Sequence, residues 1–196
     1  MTTRAVLALC FLLSGCALTE KAPPVEIRYF SPQEPRGTGR EPAPSESARQ
    51  LELRMGRIGS SAHLRSRISY RTTGYELGSY ETLRWTDAPE TYLRRELHRA
   101  LFETRPLVER VSGHVPVLEI ELIAFEEVRK DGAHFGRVAL HYSLRDETRV
   151  IADGNIDVER KATAGGGIEN VVGAISAALG GAASETAERV LAALEP

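Results

Sequence analysis

Apolar residues recur at every second position in three consecutive stretches in the second half of the chain. These positions are Leu118, Ile120, Leu122 and Ala124, then Val138, Leu140, Tyr142 and Leu144, then Val150, Ala152, Ile156 and Val158. Charged residues such as Glu119, Glu121 and Arg137 fill many of the positions between them. A period of two is typical of strands with one buried face. With turn signals at 130–132 and 146–148, the pattern predicts an antiparallel meander that has one apolar and one charged face.

The same alternation predicts shorter strands in the first half, and spacings of three and four residues predict two helices. The strands are expected at 25–31, 49–58, 67–71 and 75–80, with a single helical turn at 60–65. The first helix begins with Asp87 as N-cap and Glu90 three residues later, and it ends near Thr104. Its apolar stripe consists of Tyr92, Leu93, Leu97, Ala100 and Leu101.

A second helix is predicted from Ile168 to Leu194, after three consecutive glycines that begin at Gly165. Residues 170–184 carry no charge, but this run is too short to span a bilayer, which takes about 20 residues. Its small side chains let a helix approach a sheet closely. We therefore expect an α+β fold, with an antiparallel or mixed sheet and two main helices packed mainly on one face.

The N-terminus has the three parts of a secretory signal. Arg4 is followed by the apolar run 5–13, and small residues precede Cys16. The stretch 13–16, Leu-Ser-Gly-Cys, resembles the lipobox of bacterial lipoproteins, in which the cysteine is acylated and becomes the first mature residue. The alternatives are a cleaved signal with an incidental cysteine and a buried N-terminal helix.

The lipobox divides the chain into a signal peptide at 1–15, a lipidated tether at 16–24 and a single domain at 25–196 with a flexible Pro-rich loop at 32–47. Two or more acyl chains hold a protein stably on a membrane. Ala17 follows the cysteine, where an aspartate is associated with retention at the inner membrane in enterobacteria. We therefore expect a protein of the bacterial cell envelope, on the periplasmic face of the outer rather than the inner membrane.

Composition and motifs exclude several function classes. The 25 basic and 27 acidic residues give a net charge of -2, unlike the basic patch of a nucleic-acid binder. Two cysteines and five scattered histidines predict neither a disulfide scaffold nor a metal site. No hydrolase, zinc-protease or nucleotide-loop motif occurs, and Glu119 and Glu121 fit a solvated sheet face better than a catalytic pair. We expect no enzyme, and no cofactor beyond the covalent lipid on Cys16.

The middle of the chain resembles the ABC-type transport auxiliary lipoprotein family. The residues that carry the resemblance are 67–71 (RISYR), 75–80 (YELGSY), 83–89 (LRWTDAP) and 100–101 (AL). In that family a strand ending in Tyr-Arg precedes a strand that contains tyrosine, and Arg-Trp leads through a short turn and a proline into a helix. The Pro-rich segment between Ser31 and Ser47 departs from this pattern.

The resemblance implies a non-enzymatic lipoprotein of an Mce-type lipid transport system, whose partners are an Mce-domain protein and its ABC permease and ATPase. Because interfaces are enriched in Trp, Tyr and Arg, the candidate partner interface is Tyr70, Arg71, Tyr80, Arg84 and Trp85. Trp85 is either a core residue or an anchor for the partner. The other hypotheses are an envelope lipoprotein that encloses a lipid between its sheet and its long helix, and a structural lipoprotein that assembles with itself.

Overall fold

The structure is a computed structural model that describes residues 24–33, 51–105, 107–163 and 167–195. The predicted signal peptide, Cys16 and most of the Pro-rich loop lie outside these residues. The strands are β1 Arg28–Phe30, β2 Leu51–Ser60, β3 Arg67–Arg71, β4 Leu77–Trp85, β5 Leu107–Glu109, β6 Val117–Lys130, β7 Ala133–Arg145 and β8 Val150–Lys161. The helices are α1 Pro89–His98, continued by a π-helical turn Arg99–Glu103, and α2 Ile168–Leu194.

Within the described residues, the eight strands form one mixed sheet that is organised around β6. One edge of β6 pairs with β7, which in turn pairs with β8, and both pairings are antiparallel. The other edge of β6 pairs in parallel with β2 and then with β3. Outside these, β5 pairs with β2, β4 with β3, and β1 with β4. The predicted α+β class, the mixed sheet and the β6–β8 meander are confirmed.

Both helices cover the same face of the sheet. Helix α2 packs on β7 and β8, whereas α1 packs on β2, β6 and α2. The Phe125 ring packs under α1, 5.2 Å from the Trp85 ring and 6.3 Å from that of Tyr92. All five residues of the predicted α1 stripe are buried, as expected for an amphipathic helix on a core. The opposite face of the sheet carries no helix of the described chain, and we call it the open face.

Helix α2 approaches β7 at van der Waals distance. A Cβ atom placed on Gly136 would overlap the backbone of Ala174 and would lie 2.6 Å from the Cα of Ile175. Only glycine fits such an approach of two backbones. The small residues Ala178 and Ala182 are fully buried further along the same helix. None of the described helices is long and apolar enough to cross a membrane.

A β-bulge in β6 changes which side chains face the core. Leu122 pairs with Leu140, but Ala124 pairs with Ala139, so Ile123 is an extra residue. Our expectation that Ala124 continues the apolar face of Leu122 is therefore wrong. After the bulge, Phe125 takes the core-facing place, and Ala124 lies on the open face.

Helix α1 begins differently from the prediction. Its N-cap is Ala88, in extended conformation before Pro89, and no side chain caps it. Asp87 does not act as the cap because its N–H is bonded to the Tyr92 hydroxyl and its carboxylate accepts from Arg95, at 2.8 Å in both bonds.

The remaining differences concern short elements. Instead of a helical turn at 60–65, the chain makes one hydrogen-bonded turn, in which Leu64 N–H donates to Ser61 C=O. β1 is shorter than its predicted strand and β4 extends through Trp85, while the three-residue strand β5 had no prediction. The predicted turn before β7 is present, with positive φ at both Asp131 and Gly132.

Candidate functional site

The loops that join the strands collect at two opposite ends of the sheet. Because β3 and β6 are parallel, the β3–β4 connection (residues 72–76) and the β6–β7 turn (131–132) lie at one end, which we call the hairpin end. β1 is parallel to β4 and so runs away from the hairpin end, but its first residue, Arg28, pairs with Leu83, six residues beyond the start of β4 at Leu77. The connections at residues 110–116 and 146–149 lie at the opposite end.

Two tyrosines and an arginine form the centre of a polar cluster near the hairpin end, on the helix-covered side of the sheet. The rings of Tyr70 and Tyr80 meet edge to face, with centroids 5.3 Å apart. The Arg129 guanidinium lies 3.9 Å from the Tyr70 ring centroid and donates to the Tyr80 hydroxyl at 2.7 Å. A cation over an aromatic face is favourable, and more so when it is withdrawn from water.

Glu127 completes this cluster and is fully buried. Its carboxylate accepts hydrogen bonds from the Tyr80 hydroxyl at 2.7 Å and from Arg129 at 3.0 Å, and it contacts His134 Nδ1. Burial raises the pKa of Glu127, but the hydrogen bonds from Arg129, Tyr80 and His134 outweigh it and bring the pKa below its ordinary value. Burial, followed by the bond to Glu127, raises the pKa of Tyr80 to about 12. At neutral pH the cluster therefore holds an ionised Glu127 and a protonated Tyr80.

Glu126 makes a corresponding set of contacts on the open face, because consecutive strand residues point to opposite sides. It is fully buried and accepts bonds from Arg71 at 2.8 Å and from Arg137 at 3.3 Å. Arg137 also donates to Asp157 at 2.6 Å. This ladder of opposite charges crosses β3, β6, β7 and β8 and fixes the positions of these side chains on the surface.

The structure separates the five residues of the predicted interface. Tyr70 and Tyr80 lie half-buried in the cluster with Glu127, and Arg71 lies on the open face beside Glu126. Arg84 donates to the carbonyls of its own strand at Tyr80 and Leu83. Trp85 is 2% exposed and packs against Tyr92 and Phe125. Of the two alternatives for Trp85, the structure places it in the core.

Sequence reasoning missed Glu126, Glu127 and Arg129, although the sequence contains a signal for them. Two adjacent acidic residues follow Phe125, at the point where the alternation of β6 breaks. One of two such neighbours has to face the covered side of the sheet, where a charge needs partners.

The open face contains shallow clefts with charged walls. One cleft, of about 340 Å³, is lined by side chains that include Arg57, Glu119, Glu121 and His141. Among the residues that the structure describes, no three His, Cys, Asp or Glu side chains are grouped so as to hold a metal ion. The arrangement presents fixed charges and hydrogen-bonding groups, which is the chemistry of a recognition surface.

Solved structures of low sequence identity have the same fold. A crystal structure of XCC0632 from Xanthomonas campestris, a protein of the DUF330 family, matches with a TM-score of 0.67 and 20% identity over 76% of this chain and 90% of that chain. The chain has the fold of that protein. An uncharacterized protein matches with a TM-score of 0.59 and 14% identity, over 72% of this chain and 92% of its own.

The hypothetical protein CT253 from Chlamydia trachomatis matches with a TM-score of 0.54 and 10% identity, over 74% of this chain and 98% of its own. A scan against family models and a search of curated proteins found no match. At these identities the likeness establishes the fold.

Proposed function

We propose that the protein is a lipid-anchored adaptor of the bacterial envelope, an auxiliary component of an ABC-type, Mce-like lipid transport system that acts by docking to its protein partners. The lipobox at 13–16 supports acylation of Cys16, and Ala17 after it supports the periplasmic side of the outer membrane. The motifs around Tyr70-Arg71 and Arg84-Trp85 support the auxiliary role, and the partners are the Mce-domain protein and its permease and ATPase. The single observation that favours docking is the open face of the sheet, which no described helix covers.

Within the open face, the part formed by β1, β4 and β3 best matches the composition of a protein interface. Tyr29 is 64% exposed and pairs in register with Arg84. Arg71 lies on β3, two strands away from β1, and pairs in register with Leu77. Its guanidinium is held by Glu126. Tyrosine and arginine dominate the binding energy of many interfaces, and a fixed arginine loses little side-chain entropy on binding. We assign the docking surface to Tyr29, Arg71 and Arg84.

Protein docking fits the fold better than enclosure of a lipid between helix and sheet. The contact between Gly136 and the backbone of α2 leaves no space for an acyl chain where these elements cross. Native mass spectrometry of the gently purified protein tests this alternative, because a retained phospholipid adds its mass to that of the chain.

The docking surface is tested by measuring binding to the purified Mce-domain protein of the same organism by biolayer interferometry. The double variant Tyr29→Ala, Arg84→Ala is expected to weaken binding about tenfold or more, equivalent to about 1.4 kcal/mol. The control is Arg94→Ala, an exposed arginine on the outer side of α1. Equal binding by the double variant and wild type would move the interface elsewhere.

The anchor is tested separately, by mass spectrometry of the full chain produced in a bacterial host. Acylation adds lipid mass to a chain that begins at Cys16, and Cys16→Ser abolishes it. An unmodified Cys16 in the wild type contradicts the anchor. An Mce-domain protein that binds neither wild type nor variant contradicts the adaptor role.

A further inference from the structure

The β3–β4 connection at the hairpin end holds an aromatic side chain entirely in solvent. Tyr75 is fully exposed, and Leu77, two residues later, is more than a third exposed. The loop itself is well bonded: the Thr73 hydroxyl accepts from the N–H groups of Tyr75 and Glu76, and Thr72 donates to the Glu76 carboxylate at 2.8 Å. The backbone of the loop is thus fixed in a form that keeps the Tyr75 ring away from the protein.

More exposed apolar side chains precede β1, in the segment that leads into this strand from the hairpin side of the sheet. Val25 is 72% exposed, and Ile27 is nearly half exposed. Single exposed apolar residues are ordinary on protein surfaces, but several at one end of a molecule indicate a surface that is covered in use.

The length of chain beyond the described residues indicates what covers this end. Residues 17–24 span at most about 28 Å when fully extended. Because β1 runs away from the hairpin end, the chain reaches it from that side of the sheet, and a lipid on Cys16 holds Val25 within this distance of the membrane. At such a membrane surface tyrosine is a favoured side chain, since its ring is apolar and its hydroxyl stays hydrated.

We propose that the hairpin end rests on the lipid surface that holds Cys16, with the Tyr75 ring at the level of the lipid headgroups and Leu77 beside it. This inference rests on the anchoring part of the proposed function. It adds a second, non-covalent contact with the bilayer, which orients the domain as well as tethering it.

Hydrogen exchange on vesicles tests the contact. The mature chain, residues 16–196, is coupled through the Cys16 thiol to a maleimide lipid in vesicles of phosphatidylethanolamine and phosphatidylglycerol. Amide exchange at residues 72–77 is expected to slow several-fold relative to the same protein with its thiol blocked. Exchange at residues 110–116, at the opposite end, is expected to stay unchanged.

Paired variants assign the effect to the tyrosine. Tyr75→Ser is expected to remove the slowing at 72–77. Val111→Ser, which replaces a 91% exposed apolar residue in the loop at the opposite end, is expected to retain it. Since both side chains project into solvent, neither substitution removes core packing.

Three results would overturn the inference. These are unchanged exchange at 72–77 on vesicles, equal slowing at both ends, and equal slowing in the Tyr75→Ser variant. Slowing at 72–77 that requires the Mce-domain protein instead of vesicles would assign this surface to a protein partner. Because the lipid is attached chemically in this experiment, its outcome does not depend on acylation of Cys16 in the cell. Acylation is tested separately, by the mass of the full chain.

Discussion

Glu127 is a charged side chain that the core accepts only because its partners surround it. Tyr80 and Arg129 bond to one carboxylate oxygen, and His134 contacts the other. The hydrogen bonds outweigh the effect of burial, so the pKa of Glu127 in the folded chain lies below that in the unfolded chain. The stabilisation is therefore complete above the ordinary glutamate pKa of about 4.3, and it is lost as the pH falls through the lower, folded-state pKa.

We predict that Glu127→Gln lowers the free energy of unfolding at neutral pH by about 1–3 kcal/mol, because it removes a charged acceptor from Arg129 and Tyr80. As the pH falls, the free energy of unfolding of the variant is expected to decrease less than that of the wild type. Urea denaturation at a series of pH values measures both effects. Glu121→Gln, at an exposed position of the same strand, is the control and leaves both unchanged. A variant with an undiminished acid dependence would contradict the role of Glu127.

At this scale the sequence predicted the apolar side chains well and the buried charges poorly. The stripe of α1 was correct residue by residue because helical spacing defines one face over several turns. The burial of Glu127 was not predicted, because the face of the sheet on which it lies depends on the bulge at Ile123, which shifts the alternation by one position. The five residues proposed as one interface were neighbours in sequence, but strand alternation distributes them over both faces and the core.

At the scale of elements, the contact between α2 and β7 depends on one glycine. Any side chain at Gly136 has to displace the backbone of α2 at Ala174 and Ile175, and helix and strand backbones cannot give way as a flexible side chain can. The long helix and the sheet are fitted to each other at this point.

We predict that Gly136→Ala destabilises the fold by about 1–3 kcal/mol, the usual range for overpacking in a core. Gly173→Ala is the matched control, because Gly173 is exposed within α2 and its added Cβ would meet no atom within 4 Å. That control is expected to stabilise by about 0.5–1 kcal/mol, through helix propensity alone. Thermal unfolding followed by circular dichroism compares the two, and equal effects would refute the close fit.

Long periodic elements were predictable and short ones were not. The bounds of α2 and β3 matched the prediction, and the meander was recognised because its alternation extends over three strands. The three-residue strand β5 has too few positions to define a period. The N-cap of α1 differs because Asp87 is bonded to Tyr92 and Arg95, a tertiary arrangement that local motifs do not specify.

At the scale of the molecule, the two ends of the sheet lie about as far apart as the 14 residues of β6 extend, which is roughly the length of α2. A helix of 27 residues is about 40 Å long, and α2 crosses the sheet from Gly136, near the hairpin end, towards Asn155, whose carbonyl accepts from Arg189. If the hairpin end rests on a bilayer, the loop at 110–116 faces away from it at about this height, and the open face stands upright beside the membrane.

We predict that the protein coupled through Cys16 to a supported bilayer forms a layer about 40 Å thick that starts at the headgroups. Neutron reflectometry measures this thickness. Tyr75→Ser is expected to broaden the layer, while Val111→Ser does not alter it. A markedly thinner layer, with α2 parallel to the membrane, would contradict this orientation.

The position of β6 also determines the order in which the chain can fold. β2 pairs only with strands that follow it in sequence from Leu107 onward, and β3 needs β6 on its inner edge. Contacts so distant in sequence form late, whereas the β6–β7–β8 hairpins are local. The strands β2 and β3 therefore lack their central pairing partner until β6 is available. If the chain is exported N-terminus first, as the proposed function requires, this topology would delay folding until β6 has crossed the membrane.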